Sequence, residues 1–285
     1  MSKLFITGPS GFIGTHLIAS LHDTEHSIFN SDCESKFDVT DETNWESLSN
    51  IDCVIHLAGK SFVPDSWNKP GDFIRSNFQG VINALEYCRK NNGLLIFLSS
   101  YLYGDPKILP TPETCSLIAT NPYAFSKYVS EDVCKFYAEN LNTRVVILRL
   151  FNVYGPGQSN NFLIPTILKQ MELSRTIVVK DLDPKRDYVY VKDVVNAIIK
   201  SIDFKDQFGV FNIGSGKSYS VKNLIDMIME IKGISFNVES LNERRKGEIM
   251  DTMADIDQAK KKLKWSPVWE IKKGLQETIQ YYQNK

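Results

Sequence analysis

The sequence predicts an α/β fold: a doubly wound parallel sheet followed by a smaller mixed α/β portion. Three observations predict it. Short apolar runs alternate with helix-length stretches through the first half, which is the pattern of βαβ units. A glycine-rich turn follows the first apolar run directly. After Phe151 the rhythm changes to a Gly/Pro turn, an amphipathic stretch from Phe162 to Met171 and a short alternation at Tyr188-Val-Tyr-Val. At 285 residues the chain has the length of one large domain or two small ones. A hydrophobic content of 42% excludes disorder as a description of the whole.

The elements follow in order. Strands are expected at 4–7, 27–30, 53–57, 95–98 and 145–150, and helices over 14–21, 41–48, 73–91 and 123–140. Phe78, Val81, Ile82, Leu85 and Cys88 recur at helical spacing, as do Val129, Val133, Phe136 and Tyr137, so these stripes read as core or subunit-contact faces. The Lys260–Lys262 run reads as a solvated helix face. With 33 Lys+Arg against 34 Asp+Glu, the net charge of −1 offers no field to gather nucleic acid or anionic lipid. No apolar run approaches the roughly 18 residues of a membrane span. The N-terminus enters a strand-like run at once, so the expectation is a cytoplasmic protein. Five cysteines without a CxxC suggest neither a disulfide framework nor a metal site.

Two motifs carry chemistry. Gly8-Pro-Ser10-Gly11-Phe12-Ile13-Gly14 stands after a strand and opens a helix. Such glycines permit a tight turn and close approach of backbone to a pyrophosphate, while the helix N-terminus offers free N–H groups. Asp32 follows at the end of the second strand, where an acid binds ribose hydroxyls. The second motif is Tyr123-Ala-Phe-Ser-Lys127, on a helix preceded by Asn121-Pro122. Residues four apart share a helix face, so phenol and ammonium aim at one site. A nearby Lys⁺ favours phenolate and brings the Tyr toward the range useful for proton transfer.

With both motifs in place, the chain resembles the extended short-chain dehydrogenase/reductase family, the NAD-dependent nucleotide-sugar epimerases, dehydratases and reductases. The resemblance covers essentially the whole chain. It implies a modified Rossmann fold, a nucleotide-diphosphate sugar as substrate, and a homodimer paired through the helices at 73–91 and 123–140. It implies a dinucleotide-binding portion over 1–152, with returns at about 189–214 and 250–258, and a substrate-binding portion over 153–188, 215–249 and 259–285. The cofactor is NAD or NADP, with NAD favoured because Asp32 stands where a 2′-phosphate would sit.

Beside the Gly8–Gly14 turn and Asp32, the resemblance assigns Asp38-Val39 to the adenine and Leu57-Ala58-Gly59 to the cofactor phosphates. Lys60 stands next to that segment, one position before the Lys of the epimerases, where this chain has Ser61. Asn77 resembles the family's structural Asn beside the cofactor. Tyr123 is the implied acid/base and Lys127 its electrostatic partner and ribose ligand. The orienting hydroxyl is implied four residues before Tyr103-Gly104, which selects Ser99, with Ser100 as the alternative. On the substrate side, Asn152 resembles a diphosphate contact, and Asn161-Phe162 the segment closing over the base. Arg186 and Arg245, with Glu248, resemble a pair of guanidinium sites for a pyrophosphate, which each can bind bidentately. Asp193 reads as the N-cap of a helix at 194–202.

Departures from the pattern narrow the reaction. Dehydratases carry an Asp-Glu pair directly after the orienting hydroxyl; here those positions are Ser100 and Tyr101. Hydride and proton transfer at one carbon remains. The reading favoured is a 4-keto-6-deoxy nucleotide-sugar 4-reductase, because the short stretch between Asp32 and Asp38 leaves few residues to retain a cofactor through many cycles. A nucleotide-sugar 4-epimerase is the alternative. A non-enzymatic dinucleotide sensor comes third, since such a protein would be expected to lose the Tyr or Lys.

Overall fold

The computed structural model describes residues 2–22, 24–31, 37–244 and 248–284. Its first half runs β1 (Lys3–Thr7), α1 (Phe12–Leu21), β2 (Ser27–Asn30), α2 (Glu42–Glu46), β3 (Cys53–His56), α3 (Val63–Asn68), α4 (Pro70–Ile74), α5 (Gly80–Asn91), β4 (Leu94–Ser100), α6 (Pro122–Asn140) and β5 (Arg144–Leu150). The second half runs β6 (Asn152–Tyr154), α7 (Leu163–Leu173), β7 (Thr176–Val179), β8 (Lys185–Tyr190), α8 (Val191–Ile202), β9 (Phe208–Ile213), β10 (Ser218–Ser220), α9 (Val221–Lys232), β11 (Asn237–Ser240) and α10 (Ile271–Gln283).

The main sheet is parallel throughout, in the order β2-β1-β3-β4-β5-β9. Its strands are apolar on both faces, as a parallel sheet covered by helices on both sides requires. Alternate side chains feed two cores. Leu4, Ile6, Ile96 and Leu98 pack with Leu17 of α1 and Val194 and Ile198 of α8. Phe5, Val54, Leu95 and Phe97 pack with Val81, Leu85 and Cys88 of α5 and Cys134 of α6. A third core, built on Ile167, Tyr190, Leu224 and Leu275, lies under a three-stranded sheet β10-β8-β6 and a β11-β7 pair. The chain moves between the regions: β9 extends the main sheet, and Ala254, Ile256, Leu263 and Trp265 return to the first core.

Three expectations are corrected in detail. The helix expected at 73–91 is interrupted by a π-helical turn, Arg75–Gln79, whose wider pitch directs Asn77 inward. On α6 the buried face is Ala124, Ser126, Lys127, Ser130, Glu131, Cys134 and Ala138, so the apolar stripe read from the sequence lies at its margin, with Phe136 54% exposed. Polar residues occupy the buried face because they serve the site above the sheet. Asp193 is not the N-cap of α8; that position is Tyr190. Instead the Asp193 carboxylate accepts from the backbone N–H groups of Val268 (2.9 Å) and Trp269 (3.1 Å), while its own carbonyl accepts from Trp265 Nε1. The segment after the second π-helical turn, Ala259–Leu263, is thereby fixed to α8.

Asp193→Ala removes both acceptors from a buried position and is expected to lower stability by about 3 kcal/mol, or Tm by roughly 5–10 °C. Thermal unfolding that matches wild type would remove this role for the carboxylate.

Candidate functional site

The switch in strand order, with β2 on one side of β1 and β3 on the other, opens a crevice at the carboxyl ends of the strands. The turn after β1 lines it. Gly8 has φ +66°, and a Cβ there would lie 2.9 Å from the backbone N of Ala58; a Cβ on Gly14 would lie 2.4 Å from the Gly8 carbonyl oxygen. Neither position tolerates a side chain. No side chain caps the N-terminus of α1 and no acid stands in its first turn, so its N–H groups face an anion without competition.

Thr7 sets the opposite wall. Its hydroxyl accepts from the N–H groups of Leu57 (3.2 Å) and Ala58 (3.1 Å) and is hydrogen-bonded to His56 Nδ1 (3.1 Å). Burial, helped by the Lys127 charge, draws the His56 pKa down to about 3 and keeps the ring neutral.

The resulting cleft, about 340 Å³, is lined by Gly8, Gly11, Phe12, Ile13, Gly14, Leu57, Gly59 and Lys60 on one side and by Ser99, Tyr123, Lys127 and Phe162 on the other. A glycine turn, an uncapped helix N-terminus and a Tyr–Lys pair fit the pyrophosphate and nicotinamide ribose of a dinucleotide. Not every expected contact lines this cleft. Ser10 is exposed on the turn. Asp38 Oδ1 accepts from the Thr40 N–H and hydroxyl, and the Val39 carbonyl accepts from Trp45 Nε1 and Asn83 Nδ2. Ala58 contributes through its backbone. Lys60 Nζ lies 3.6 Å from an Asp72 carboxylate oxygen.

Asn77 is buried and does not reach the cleft. Its carbonyl oxygen accepts from the Lys60 N–H (2.8 Å), and its amide donates to the Lys60 carbonyl (3.0 Å) and Ser126 Oγ (2.9 Å). It ties the Gly59-Lys60 backbone to α6 instead of touching a ligand. Asp32 and Arg245 lie outside the described residues.

Helix α6 delivers the Tyr–Lys pair. The Asn121 side chain caps it by accepting from the Ala124 N–H (2.8 Å), and Pro122 starts its first turn, as the Asn-Pro pair leads one to expect. Lys127 Nζ donates to the Leu98 carbonyl at 2.8 Å and lies 4.7 Å from the centre of the Phe97 ring. Burial lowers the Lys127 pKa to about 8, with Glu131 opposing the fall. Burial raises the Tyr123 phenol above its ordinary value, and a hydrogen bond with the Ser100 hydroxyl pulls it back.

Both serines stand near Tyr123: Ser99 lines the cofactor cleft with it and Ser100 the neighbouring recess. Alternation along β4 turns Ser99 toward α6, on the side of Leu95 and Phe97, where its hydroxyl donates to Glu131 Oε1 at 2.5 Å. Ser100 then falls on the other side, at the strand's end, beneath the phenol.

A second recess, about 210 Å³, continues from Ser100 and Tyr123 to Tyr101, Leu102, Ile118, Phe151, Asn152 and Arg186. Arg186 is ion-paired with Glu248 and donates to the Ile249 carbonyl at 2.6 Å. Asn161 and Phe162 line a third cavity, about 530 Å³, that shares Lys60, Ser61, Ser159 and Phe162 with the first.

Sequence reasoning missed two buried groups. Asp187 accepts from the N–H groups of Ser215, Gly216 and Ala254 and from the Ser215 hydroxyl, and so holds the loop beside Arg186. Glu131 is gripped by Arg149 through Nε and Nη2. The signal for the second was present: an arginine inside the apolar run 145–150 needs a buried partner.

Gly14→Ala is expected to weaken NADH binding at least ~10-fold, since the new Cβ strikes backbone; unchanged affinity by calorimetry would contradict the cradle. For His56, an unfolded chain takes up a proton below about pH 6.5 that the folded chain refuses until about pH 3. Stability is therefore expected to fall with pH across that window, by up to ~1.4 kcal/mol per unit from this group. Urea unfolding at several pH values checks it: His56→Gln is expected to flatten the slope, and an unaltered slope refutes the assignment.

Comparison with known proteins places these features. The profile described as "NAD dependent epimerase/dehydratase family" matches residues 4–214. The GDP-6-deoxy-D-mannose reductase of Pseudomonas aeruginosa is 27% identical over 99% of this chain and 98% of its own. A structure of RMD from Pseudomonas aeruginosa complexed with NADPH superposes with a TM-score of 0.91 at 27% identity, covering 100% of this chain and 99% of that one. A UDP-glucose 4-epimerase from Thermotoga maritima, solved with UDP-glucose, gives 0.90 at 29% identity, covering 99% of each. The glycine cradle, the Tyr123–Lys127 pair and the doubly wound sheet thus stand in a chain that belongs to the NAD dependent epimerase/dehydratase family and is an NAD(P)-dependent enzyme.

Proposed function

We propose that the protein reduces the C4 carbonyl of a 4-keto-6-deoxy nucleotide-diphosphate sugar, with NADH or NADPH exchanged at each turnover. The observation that carries the choice of reductase over epimerase is the thin flank of the main sheet. Among the described residues only β2 lies beyond β1, and it is incompletely buried. Among the described residues little protein wraps the adenosine end, which suits a cofactor that leaves after each hydride transfer. The recess beside Tyr123 supports the 6-deoxy sugar: Leu102, Ile118 and Phe151 give it an apolar wall.

A bound reduced nicotinamide supplies the hydride. Ser100 donates a hydrogen bond to the C4 carbonyl oxygen and turns it toward Tyr123. The phenol, kept protonated at neutral pH by burial, gives its proton to that oxygen as negative charge develops there. Lys127⁺ stabilises the phenolate left behind. Asn152 and Arg186 hold the diphosphate, and Arg245 joins them in this reading. Asp32 binds the ribose hydroxyls and favours NADH. A homodimer through the outer faces of α5 and α6 accompanies the reading, with Phe125 and Phe136 exposed on α6.

Protein purified without added cofactor is expected to carry little dinucleotide and to oxidise NADH or NADPH with a 4-keto-6-deoxy nucleotide sugar. Near-stoichiometric NAD⁺ with no reductase turnover would overturn this and point to 4-epimerisation. Tyr123→Phe and Ser100→Ala are each expected to lower kcat by about 10²–10⁴-fold. Full turnover in either variant would exclude that residue from the proton path.

A further inference from the structure

Beneath the reacting groups lies a buried polar chain that the proton path does not use. Glu131 is 4% exposed and Arg149 7%. Arg149 donates to Glu131 Oε2 from Nη2 (2.7 Å) and Nε (3.0 Å), and from Nη1 to Tyr103 Oη (2.9 Å) and the Glu113 carbonyl (3.0 Å). Tyr103 Oη in turn donates to Asn212 Oδ1 of β9 at 2.6 Å. The carboxylate has one more partner, the Ser99 hydroxyl at 2.5 Å, and it stands one helical turn after Lys127 on the same buried face of α6.

We propose that Glu131 is a positioning residue for the reaction described above, clamped by Arg149 so that it fixes the end of β4 through Ser99 and holds a negative charge beneath Lys127. The inference rests on Tyr123, Ser100 and Lys127 acting as that reading states. Two consequences follow. Anchoring Ser99 toward α6 leaves Ser100 over the strand's end, where it meets the Tyr123 phenol. A fixed carboxylate also keeps the lysine charged although it is buried, because its other neighbours offer little compensation. Those neighbours are Tyr123 and Cys134 on α6, the neutral His56 on β3, the Phe97 ring and Leu98 carbonyl on β4, and the Gly59 backbone. Arg149 on β5 is occupied by Glu131 itself.

The test uses the full-length apoenzyme labelled with ¹⁵N-lysine, with the Lys127 signal assigned by its loss in Lys127→Arg. The double variant Glu131→Gln/Arg149→Met removes the pair together, so neither of the two partners is left as an uncompensated charge and Lys127 alone reports the loss. Its Lys127 titration midpoint is expected to fall by about one pH unit, and the alkaline limb of kcat to move with it while KM stays within about twofold. An unmoved midpoint in the folded double variant overturns the electrostatic role.

Ser99→Ala releases the strand without touching a charge, which keeps the proposal testable if the double variant does not fold. It is expected to lower kcat about tenfold at unchanged Lys127 midpoint, with recovery in Ser99→Thr. Wild-type kcat in Ser99→Ala overturns the orienting role. The lysine titration needs no substrate, so it stands or falls independently of the sugar: a wild-type enzyme inert toward 4-keto sugars would refute the reductase reading and leave the titration to decide this one.

Discussion

An arginine inside a parallel sheet has to be met by a carboxylate, and much of this structure is arranged around that requirement. Arg149 lies on β5, between β4 and β9 in a sheet covered on both faces, and Glu131 reaches it from α6. Breaking one member of such a pair costs about 3–5 kcal/mol, so strand and helix are locked in one register. The same lock draws in Ser99 from β4, Tyr103 from the loop after it and Asn212 from β9. Tyr123, Lys127 and Ser100 sit directly above elements that have no freedom to slide.

The cofactor side depends on a different economy of hydrogen bonds. One threonine hydroxyl joins the ends of β1 and β3, and one asparagine amide joins the Gly59-Lys60 backbone to α6. Their effect is to hold two backbone segments close enough that only glycine fits between them, at Gly8 and at Gly59, whose Cβ would meet Asn77 Oδ1 at 2.8 Å. The glycine motif is therefore half of a device whose other half is a buried polar clamp.

Much of this was legible in the sequence, and the failures have physical causes. The first five strands follow from their apolar runs, and the helix carrying Tyr123 from its Asn-Pro start, while β6, β7, β9, β10 and β11 are not marked in this way. The glycine turn was legible for the same reason: it sits between a strand and a helix that period alone identifies. Counting back from Tyr103-Gly104 selects Ser99, but a count carries no information about which face of β4 a side chain takes, and the Ser99 hydroxyl turns to Glu131. Asn77 reads as a structural residue beside the cofactor, but the π-helical turn that directs it inward onto Lys60 and Ser126 leaves no trace in apolar spacing. Asp193 was mistaken for a cap, since its true partners lie 75 and 76 residues away. Asp187 escaped notice for the same reason.

Those long-range carboxylates bear on how the protein comes to be finished. Asp187 takes a donor from Ala254, and Asp193 takes two from Val268 and Trp269. Both acids are buried, Asp187 next to Arg186 on β8 and Asp193 in the first turn of α8. A ribosome-bound chain that has emerged only as far as α9 presents these two carboxylates with part or all of their donors still unmade. The last stretch of polypeptide to appear thus completes the polar wiring of segments made long before it. Assembly of the sugar-side wall is a late event in biosynthesis, whereas the glycine cradle has every partner it needs from the first hundred and thirty or so residues.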